Sequence, residues 1–587
     1  MRQSKKVLVL GSDTRSFLSV VRSLGRGGLS VDSAWTHESS LARHSRYLRQ
    51  IHDDLPAYTP ADMNWMAALR ERVEREGYDL VIPTSDTAIL PLQNHRDRID
   101  LRRFYLLSEQ AFEITNDKSK TYHLAAKENV PVPAQALVRS VAEAERAAGE
   151  FGYPVILKPL TSFTLENYGR KQFVRQAMSR ASLRQLLAPM LLQGAVAVQE
   201  FFRGIGVGVE VLASEGEVLA SFQHQRVHEP RQGGGSSYRK SVKVDPELFE
   251  MTKRLIKALN YTGVCMVEFR MDPSAGQFIL VEINGRFWGS LPLAIAAGAN
   301  FPLWLYQMWV EGCREFSREK RVGMYCRNLS PDVDWFIETA RANSEGSRSA
   351  KRVLNEVASG IGHLLTLRER VDTLVLDDLK PGILELREIG QRLIDYAHRF
   401  FWSYPRLKGL RSLFVWKARR RLRHGKKIIF VCKGNICRSP FAARYAKRLM
   451  PELEIQSAGY YPAANRSSPS EAVRAAASFG IDLSQGRSSV VNRDMVRDVD
   501  AILLFDHENY VAMRNAYPDL TAKFVFLGAL DGGPSFIADP FGETLPNYLV
   551  TYQRIARAID GLSSVWNGRK IEIAAARQAE SPSLPVD

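Results

Sequence analysis

Over the first hundred residues, short apolar runs alternate with longer amphipathic stretches. The opening KKVLVLG reads as a buried parallel strand closed by a turn at Gly11. Residues 30–34 and 80–83 read as further strands, and 16–24 and 63–76 as the helices between them. That alternation predicts an open α/β sheet over residues 1–105. From 106 to 330 the pattern changes. Strand-like runs at 154–159, 196–202, 207–212, 264–269 and 278–284 follow one another with turns and few helices, which predicts an α+β domain. Residues 331–425 are helix-prone and basic and carry no catalytic motif, so they read as a helical connector. At 428–431 an apolar run precedes a helix-like run at 440–450, and 426–574 reads as a second α/β domain with a central parallel sheet. Residues 575–587, rich in Ser and Pro, are expected to be a disordered tail. The fold class is therefore α/β and multidomain, with no internal repeat.

Length agrees, because 587 residues exceed what one core organises. Five cysteines form neither a disulfide framework nor a metal-ligand cluster. A reducing cytoplasm is the expected location. No run of about twenty apolar residues occurs, so no transmembrane helix is expected. The net charge of +16 invites a nucleic-acid reading, but no zinc-finger, homeodomain or RNA-recognition motif accompanies it. Much of the excess sits in residues 406–427, where Leu410, Leu413, Phe414 and Trp416 interleave with a dense basic run. Two readings stand: weak contact with an anionic membrane, or a solvated helix between domains.

The most specific motif is VCKGNICRSP at 431–440. Cys432 and Arg438 enclose Lys433, Gly434, Asn435, Ile436 and Cys437, with Ser439 and Pro440 following. Such a loop at a strand–helix junction can wrap one phosphate, its N–H groups and helix N-terminus facing the anion and the guanidinium gripping two oxygens. The same field favours a thiolate at Cys432, a nucleophile at neutral pH. Cys437 either forms a reversible disulfide with it or only packs the loop.

This loop resembles that of the low-molecular-weight protein tyrosine phosphatases, and the resemblance extends over about 426–570 through Ser457-Ala458-Gly459, residues 505–509 and Asp539-Pro540-Phe541-Gly542. It implies a metal-free, cofactor-free hydrolysis of phosphotyrosine proteins, with Asp539 as general acid. Phe541 stands where many members carry Tyr.

A second constellation lies at Glu282-Ile283-Asn284. Alternate strand positions put Glu282 and Asn284 on one face, and a hairpin through the Asp272–Gly276 turn would set Glu268 beside Glu282. Three oxygen donors so placed suit Mg²⁺. Lys158, ending an apolar strand, and Lys118 could reach nucleotide phosphates. The set resembles the ATP-grasp superfamily of carboxylate–amine ligases over about 1–325, with a tail NGRFWGS close to that of carbamoyl-phosphate-synthase-like members. The resemblance implies ATP and Mg²⁺ (or Mn²⁺) as cofactors, adenine against the hinge Gln199-Glu200-Phe201-Phe202, phosphate contacts from Lys118, Lys158, Lys171 and Arg286, and a ribose contact from Glu210. Glu268, Glu282 and Asn284 would hold the metal. Its substrates would be a small carboxylate and an amine, although a nucleotide- or metabolite-sensing domain without turnover is the alternative. The stretch 223–240, with Arg226, His228, Arg231, Arg239 and Lys240 around three glycines, reads as a mobile basic loop able to grip a carboxylate.

Overall fold

The computed structural model describes residues 5–11, 14–60, 62–161, 163, 165, 172–230, 235–342, 355–356, 358–360, 362–363 and 365–579. The chain divides into two compact units, Met1–Ile389 and Gly390–Asp587.

The first unit opens with a parallel sheet of order β3-β2-β1-β4, formed by β1 (Lys6–Leu10), β2 (Ser30–Ala34), β3 (Leu48–His52) and β4 (Leu80–Pro83). Val7, Val9 and Ile82 face one core, shared with the helix Thr14–Arg26; Leu8, Leu10 and Val81 face another, shared with Asn64–Glu76. Burial on both faces is why these strands read as unbroken apolar runs.

Two further sheets follow. A four-stranded antiparallel sheet has the order β5-β8-β6-β7, from β5 (Gln135–Val138), β6 (Val155–Pro159), β7 (Arg175–Ala177) and β8 (Val196–Glu200). A seven-stranded sheet has the order β13-β12-β9-β10-β11-β14-β15. Its strands are β9 (Ile205–Ser214), β10 (Glu217–His228), β11 (Tyr238–Ser241), β12 (Gly263–Asp272), β13 (Gln277–Asn284), β14 (Tyr325–Arg327) and β15 (Glu369–Val371). The hairpin expected between 268 and 282 is present, and its register pairs Glu268 with Glu282.

Two expectations meet a different arrangement. Among its described residues the segment 331–425 is largely helical, but it also supplies β15, parallel to β14 in the large sheet. Its Asp378 receives the buried Arg22 guanidinium at 2.8 Å. Much of the stretch 223–240, expected as a basic loop, is strand: its described residues supply the end of β10 and the start of β11, and His228 and Arg239 turn inward, while Arg226 lines the cavity described below. Arg239 is fully buried and donates to Asp372 at 2.5 and 2.6 Å; His228 stacks on Trp335 at 3.6 Å and pairs with Asp332 at 2.8 Å. A buried guanidinium persists only when so paired. Arg231 lies outside the described residues.

The second unit is built on a parallel sheet of order β17-β16-β18-β19: β16 (Lys427–Cys432), β17 (Glu454–Gly459), β18 (Ala501–Leu504) and β19 (Phe524–Phe526). Ile428 and Phe430 point to one core and Ile429 and Val431 to another. The helix Arg438–Leu449 packs Phe441 flat on Tyr552, with ring centroids 4.0 Å apart, from the long helix Leu545–Ala579. Truncating Phe441 to Ala would cost about 3–5 kcal/mol. The long helix reaches four residues past Ala575, where the tail was expected to begin; 580–587 lie outside the described residues.

Candidate functional site

In the second unit, β16 ends on Cys432 and the helix starts on Arg438, so the five residues between them curl into a tight loop. Asn435, at φ 52°, makes the reversal. Asn accepts this left-handed conformation better than other residues with a side chain. Its side chain is also the loop's internal brace. Nδ2 donates to Ser439 Oγ at 2.9 Å and to Ser457 Oγ at 3.0 Å, while Oδ1 accepts the Ser489 N–H at 2.8 Å. The Asn435 N–H points at Cys432 Sγ, 3.3 Å away, and Ser439 Oγ lies 3.1 Å from the same sulfur. Gly434 is held from outside by Arg466, which donates to its carbonyl at 2.6 Å. Cys437, the N-cap position, offers no side-chain cap to the helix, so the first-turn N–H groups stay available to an anion.

Gly459 explains why β17 must pass close by. A Cβ there would lie 2.7 Å from the Lys433 carbonyl oxygen and 2.8 Å from the Asn435 nitrogen, both backbone atoms of the loop. Gly459→Ala should therefore displace the loop and lower kcat/KM for an aryl phosphate by about 10²-fold, the scale of a misplacement near 1 Å. Thermal unfolding with and without phosphate would separate this from global destabilisation.

Arg438 is 1% exposed. Its Nη1 donates to Asp506 and to the Ile537 carbonyl at 3.0 Å, its Nη2 to Asp539 Oδ2 at 2.5 Å. Its Nε is buried with no hydrogen-bond partner. Asp506 is the residue that sequence reasoning passed over, although it lay within the matched run 505–509. It directly follows the apolar run that forms β18, neighbour of β16, and in a parallel sheet such a position lies at the same edge as the Cys432 loop. It also caps the helix His507–Ala516, accepting the Asn509 N–H at 2.7 Å. Lys433 turns outward to Glu508 at 2.9 Å, and Ile436 packs into the core. Burial pushes the Cys437 thiol up to about 12. Phe541 is exposed.

In the first unit, a cavity of about 760 Å³ is lined by Lys158, Gln199, Glu200, Phe201, Phe202, Glu268, Glu282, Asn284 and Arg286, with Ile156, Met266 and Leu280 as apolar surface. Lys118 opens instead onto a smaller adjoining cavity of about 60 Å³, which shares Glu282, Asn284 and Arg286. Lys158 Nζ donates to the Tyr122 hydroxyl at 3.1 Å, and Tyr122 is anchored on the Val281 carbonyl at 2.6 Å. Tyr122 was not foreseen; nothing in its sequence surroundings marks it. Gln199 Nε2 donates to Gln135 Oε1 at 2.9 Å. Arg286 Nε donates to Asp86 at 2.6 Å.

Glu282 and Glu268 are strand neighbours inside the protein. Burial opposes the Glu282 charge, but Lys118, the Asn284 amide at 2.9 Å, Lys158 and Arg286 together hold its pKa below the usual carboxylate range. Burial raises Glu268, although Arg226 pairs with it at 2.7 Å. Two adjacent carboxylates, Glu268 buried and Glu282 half-buried, and an amide oxygen fit a hard divalent cation, which would relieve their repulsion. No group of three His, Cys, Asp or Glu side chains able to hold a metal exists among the described residues, so Asn284 is needed to complete such a set.

Glu210 corrects the ribose expectation. It sits on a strand between β12 and β10, is 0% exposed, and its carboxylate meets His224 Nδ1 at 2.5 Å and the Ser290 hydroxyl at 3.3 Å. A side chain so enclosed does not face the cavity. Lys171 lies outside the described residues.

Comparison with known proteins covers both units. Residues 427–572 match the family model described as low molecular weight phosphotyrosine protein phosphatase, and 193–330 match one described as ATP-grasp in the biosynthetic pathway with Ter operon. The probable low molecular weight protein-tyrosine-phosphatase EpsP of Ralstonia nicotianae is 30% identical over 135 residues, 23% of this chain and 92% of that protein. The low molecular weight protein-tyrosine-phosphatase Wzb of Escherichia coli K12 is 26% identical over 144 residues, 24% of this chain and 97% of that protein. Among solved structures, an L-amino acid ligase from Bacillus licheniformis shares 16% identity at a TM-score of 0.43, covering 55% of this chain and 79% of that one. The chain thus belongs, through its C-terminal residues, to the low molecular weight phosphotyrosine protein phosphatase family, and it carries an ATP-grasp domain ahead of them in the same polypeptide.

Proposed function

We propose that this is a bifunctional cytoplasmic enzyme: an ATP- and Mg²⁺-dependent carboxylate–amine ligase joined to a phosphatase that hydrolyses phosphotyrosine in proteins through a phosphocysteine. The observation that carries the phosphatase half is the Arg438 guanidinium, buried beside Cys432 with its Nε lacking a partner. A dianionic phosphate in the loop would take that nitrogen and compete with Asp506 and Asp539 for the rest. Cys432 attacks phosphorus as the tyrosine oxygen departs, and Asp539 gives that oxygen its proton. Asp539 then takes a proton from the water that attacks the phosphocysteine, releasing phosphate and the free thiolate. Arg438 and the loop N–H groups stabilise the charge on the transferring phosphoryl in both steps.

In the ligase half, Lys118, Lys158 and Arg286 would bind the nucleotide phosphates, with the adenine against the Gln199–Phe202 segment. Glu268, Glu282 and Asn284 would hold Mg²⁺ or Mn²⁺, which when bound neutralises charge on the transferring phosphoryl group. Lys158 is oriented by Tyr122, and the apolar walls exclude water. One observation favours the sensing alternative: Arg226 already occupies Glu268. The two readings part on turnover.

Mg·ATP at about 100 times its Kd should stabilise the wild-type protein by about 2.7 kcal/mol. Lys158→Ala and Glu282→Ala should each remove that stabilisation in a thermal-shift titration. Absence of any shift in the wild type would overturn both readings of this half. ADP release against panels of carboxylates and amines then separates ligase from sensor.

No helix among the described residues is long and apolar enough to cross a membrane.

A further inference from the structure

The helix Lys408–His424 has two unlike faces. Val415, Ala418 and Leu422 pack on the phosphatase cores, and the buried Arg411 donates to the Phe401 carbonyl at 3.1 Å. Positions 410, 413, 414, 416, 417 and 420 fall on the opposite face at helical spacing. There Leu410 is 65% exposed, Leu413 55%, Phe414 53% and Trp416 54%. Phe414 packs edge-on against Phe401, with ring centroids 5.7 Å apart, yet about half of it stays exposed, and four large apolar side chains so exposed along one helix are costly unless something covers them.

Charge says what that something is. Between Asp395 and Glu452 the chain contains no Asp or Glu, while Arg399, Arg406 and Lys408 precede the apolar residues and Lys417, Arg420 and Lys426 follow them. The Arg420 guanidinium lies 5.7 Å over the Trp416 ring, so cation and indole are presented together. Other basic groups are turned back on the protein; Arg419 and Arg421, for example, donate to the Leu530 and Ala522 carbonyls. The outer face of the helix is therefore apolar and aromatic and edged by cations, and the helix itself carries no acidic residue. An interfacial helix has this composition, with Trp, Phe and Leu entering the acyl boundary and Lys and Arg meeting anionic headgroups. The surface of a protein partner carries both signs of charge and does not require that the exposed residues of Lys408–His424 hold cations alone.

We propose that the outer face of Lys408–His424 docks the phosphatase unit on an anionic lipid surface, so that its substrates include phosphotyrosines presented at a membrane. The inference concerns the location of the phosphatase and adds to the proposed reaction. Its test reads lipid binding, while aryl phosphate hydrolysis in solution reports separately on the chemistry.

The full chain is sedimented with vesicles of phosphatidylcholine alone and of phosphatidylcholine with phosphatidylserine. Partitioning should be at least about tenfold higher on the anionic vesicles and should collapse near 1 M salt, where the screening length is about 3 Å. Two variants test the two parts of the face, Leu413→Ser with Trp416→Ser, and Lys417→Glu with Arg420→Glu. Each should lose about tenfold in anionic partitioning and keep wild-type aryl phosphatase activity. Val550→Ser, also on an exposed apolar side chain, should change neither. Equal partitioning on neutral and anionic vesicles overturns the proposal, as does wild-type binding by both double variants. So does a concentration-dependent dimer, seen by sedimentation velocity, that the first variant abolishes while no vesicle binding occurs; that outcome assigns the face to a second copy of the chain.

Discussion

Replacing Cys432 by Ser should reduce phosphatase turnover by roughly 10⁴-fold or more, the scale on which nucleophile deletions act. The substitution is small and the site is built to tolerate it. Cys432 ends a buried strand, and its sulfur is contacted by the Asn435 N–H and the Ser439 hydroxyl, both able to donate to an oxygen. The loop should keep its shape, because Asn435 braces it through Ser439, Ser457 and the Ser489 N–H without using the sulfur. Phosphate binding should survive, since Arg438 and the loop amides supply it. What is lost is the nucleophile: a serine hydroxyl has no general base beside it here and does not ionise near neutral pH. Intact-protein mass spectrometry after acid quench should show a phosphorylated wild type and an unmodified variant. Retention of full activity by the variant would falsify the phosphocysteine mechanism.

The two halves were legible in the sequence to different depths. The Cys432 loop was readable because its parts are contiguous: a strand, a five-residue turn and a helix lie within one short segment, and contiguous geometry needs no tertiary knowledge. The pairing of Glu268 with Glu282 was readable for a related reason. The turn at Asp272–Gly276 marks a hairpin that brings the two carboxylates to the same level, but the register counted from the turn would set Glu268 opposite Val281; a register shift between Glu268 and Phe269, which the sequence does not announce, moves its partner to Glu282. What failed were charges whose partners lie far along the chain. Arg239 finds Asp372 133 residues away, and His228 finds Asp332 104 residues away. Read locally, between glycines, both residues look solvated; the sheet edge that buries them is completed by β14 and by β15, three residues too short to show periodicity. Glu210 failed differently. Alternation along β9 shows only that its side chain shares a face with Gly208 and Leu212. Which face is the cavity and which the interior depends on how the neighbouring sheet and the helix Leu291–Ala296 close over it. Tyr122 and Asp506 are the converse: positioning groups whose types are ordinary and whose importance comes only from what stands beside them.

Asp539→Asn should slow phosphotyrosine hydrolysis by about 10² to 10⁴-fold, the range for a lost general acid. The amide is nearly isosteric and can still accept the Arg438 Nη2 donor now held at 2.5 Å, so the site's packing is preserved. It cannot deliver a proton to a departing oxygen or remove one from water. The loss should therefore depend on the leaving group. Tyrosine, with a phenol pKa near 10, leaves poorly as the phenolate and relies on protonation in the transition state. A nitrophenolate is a better leaving group and relies on it less. The variant should thus be far more impaired on phosphotyrosyl peptides than on nitrophenyl phosphate in the first chemical step, with phosphocysteine hydrolysis becoming limiting for the activated ester. A burst of nitrophenolate, one equivalent per active site followed by a slow steady rate, would report that accumulation. Asp506→Asn is the control, because Asp506 also touches Arg438 yet caps the helix His507–Ala516 and has no place in the proton transfer. It should weaken both substrates alike. Equal impairment of both substrates by Asp539→Asn, with no burst, would move the general acid elsewhere and leave Asp539 as a second carboxylate that only positions Arg438.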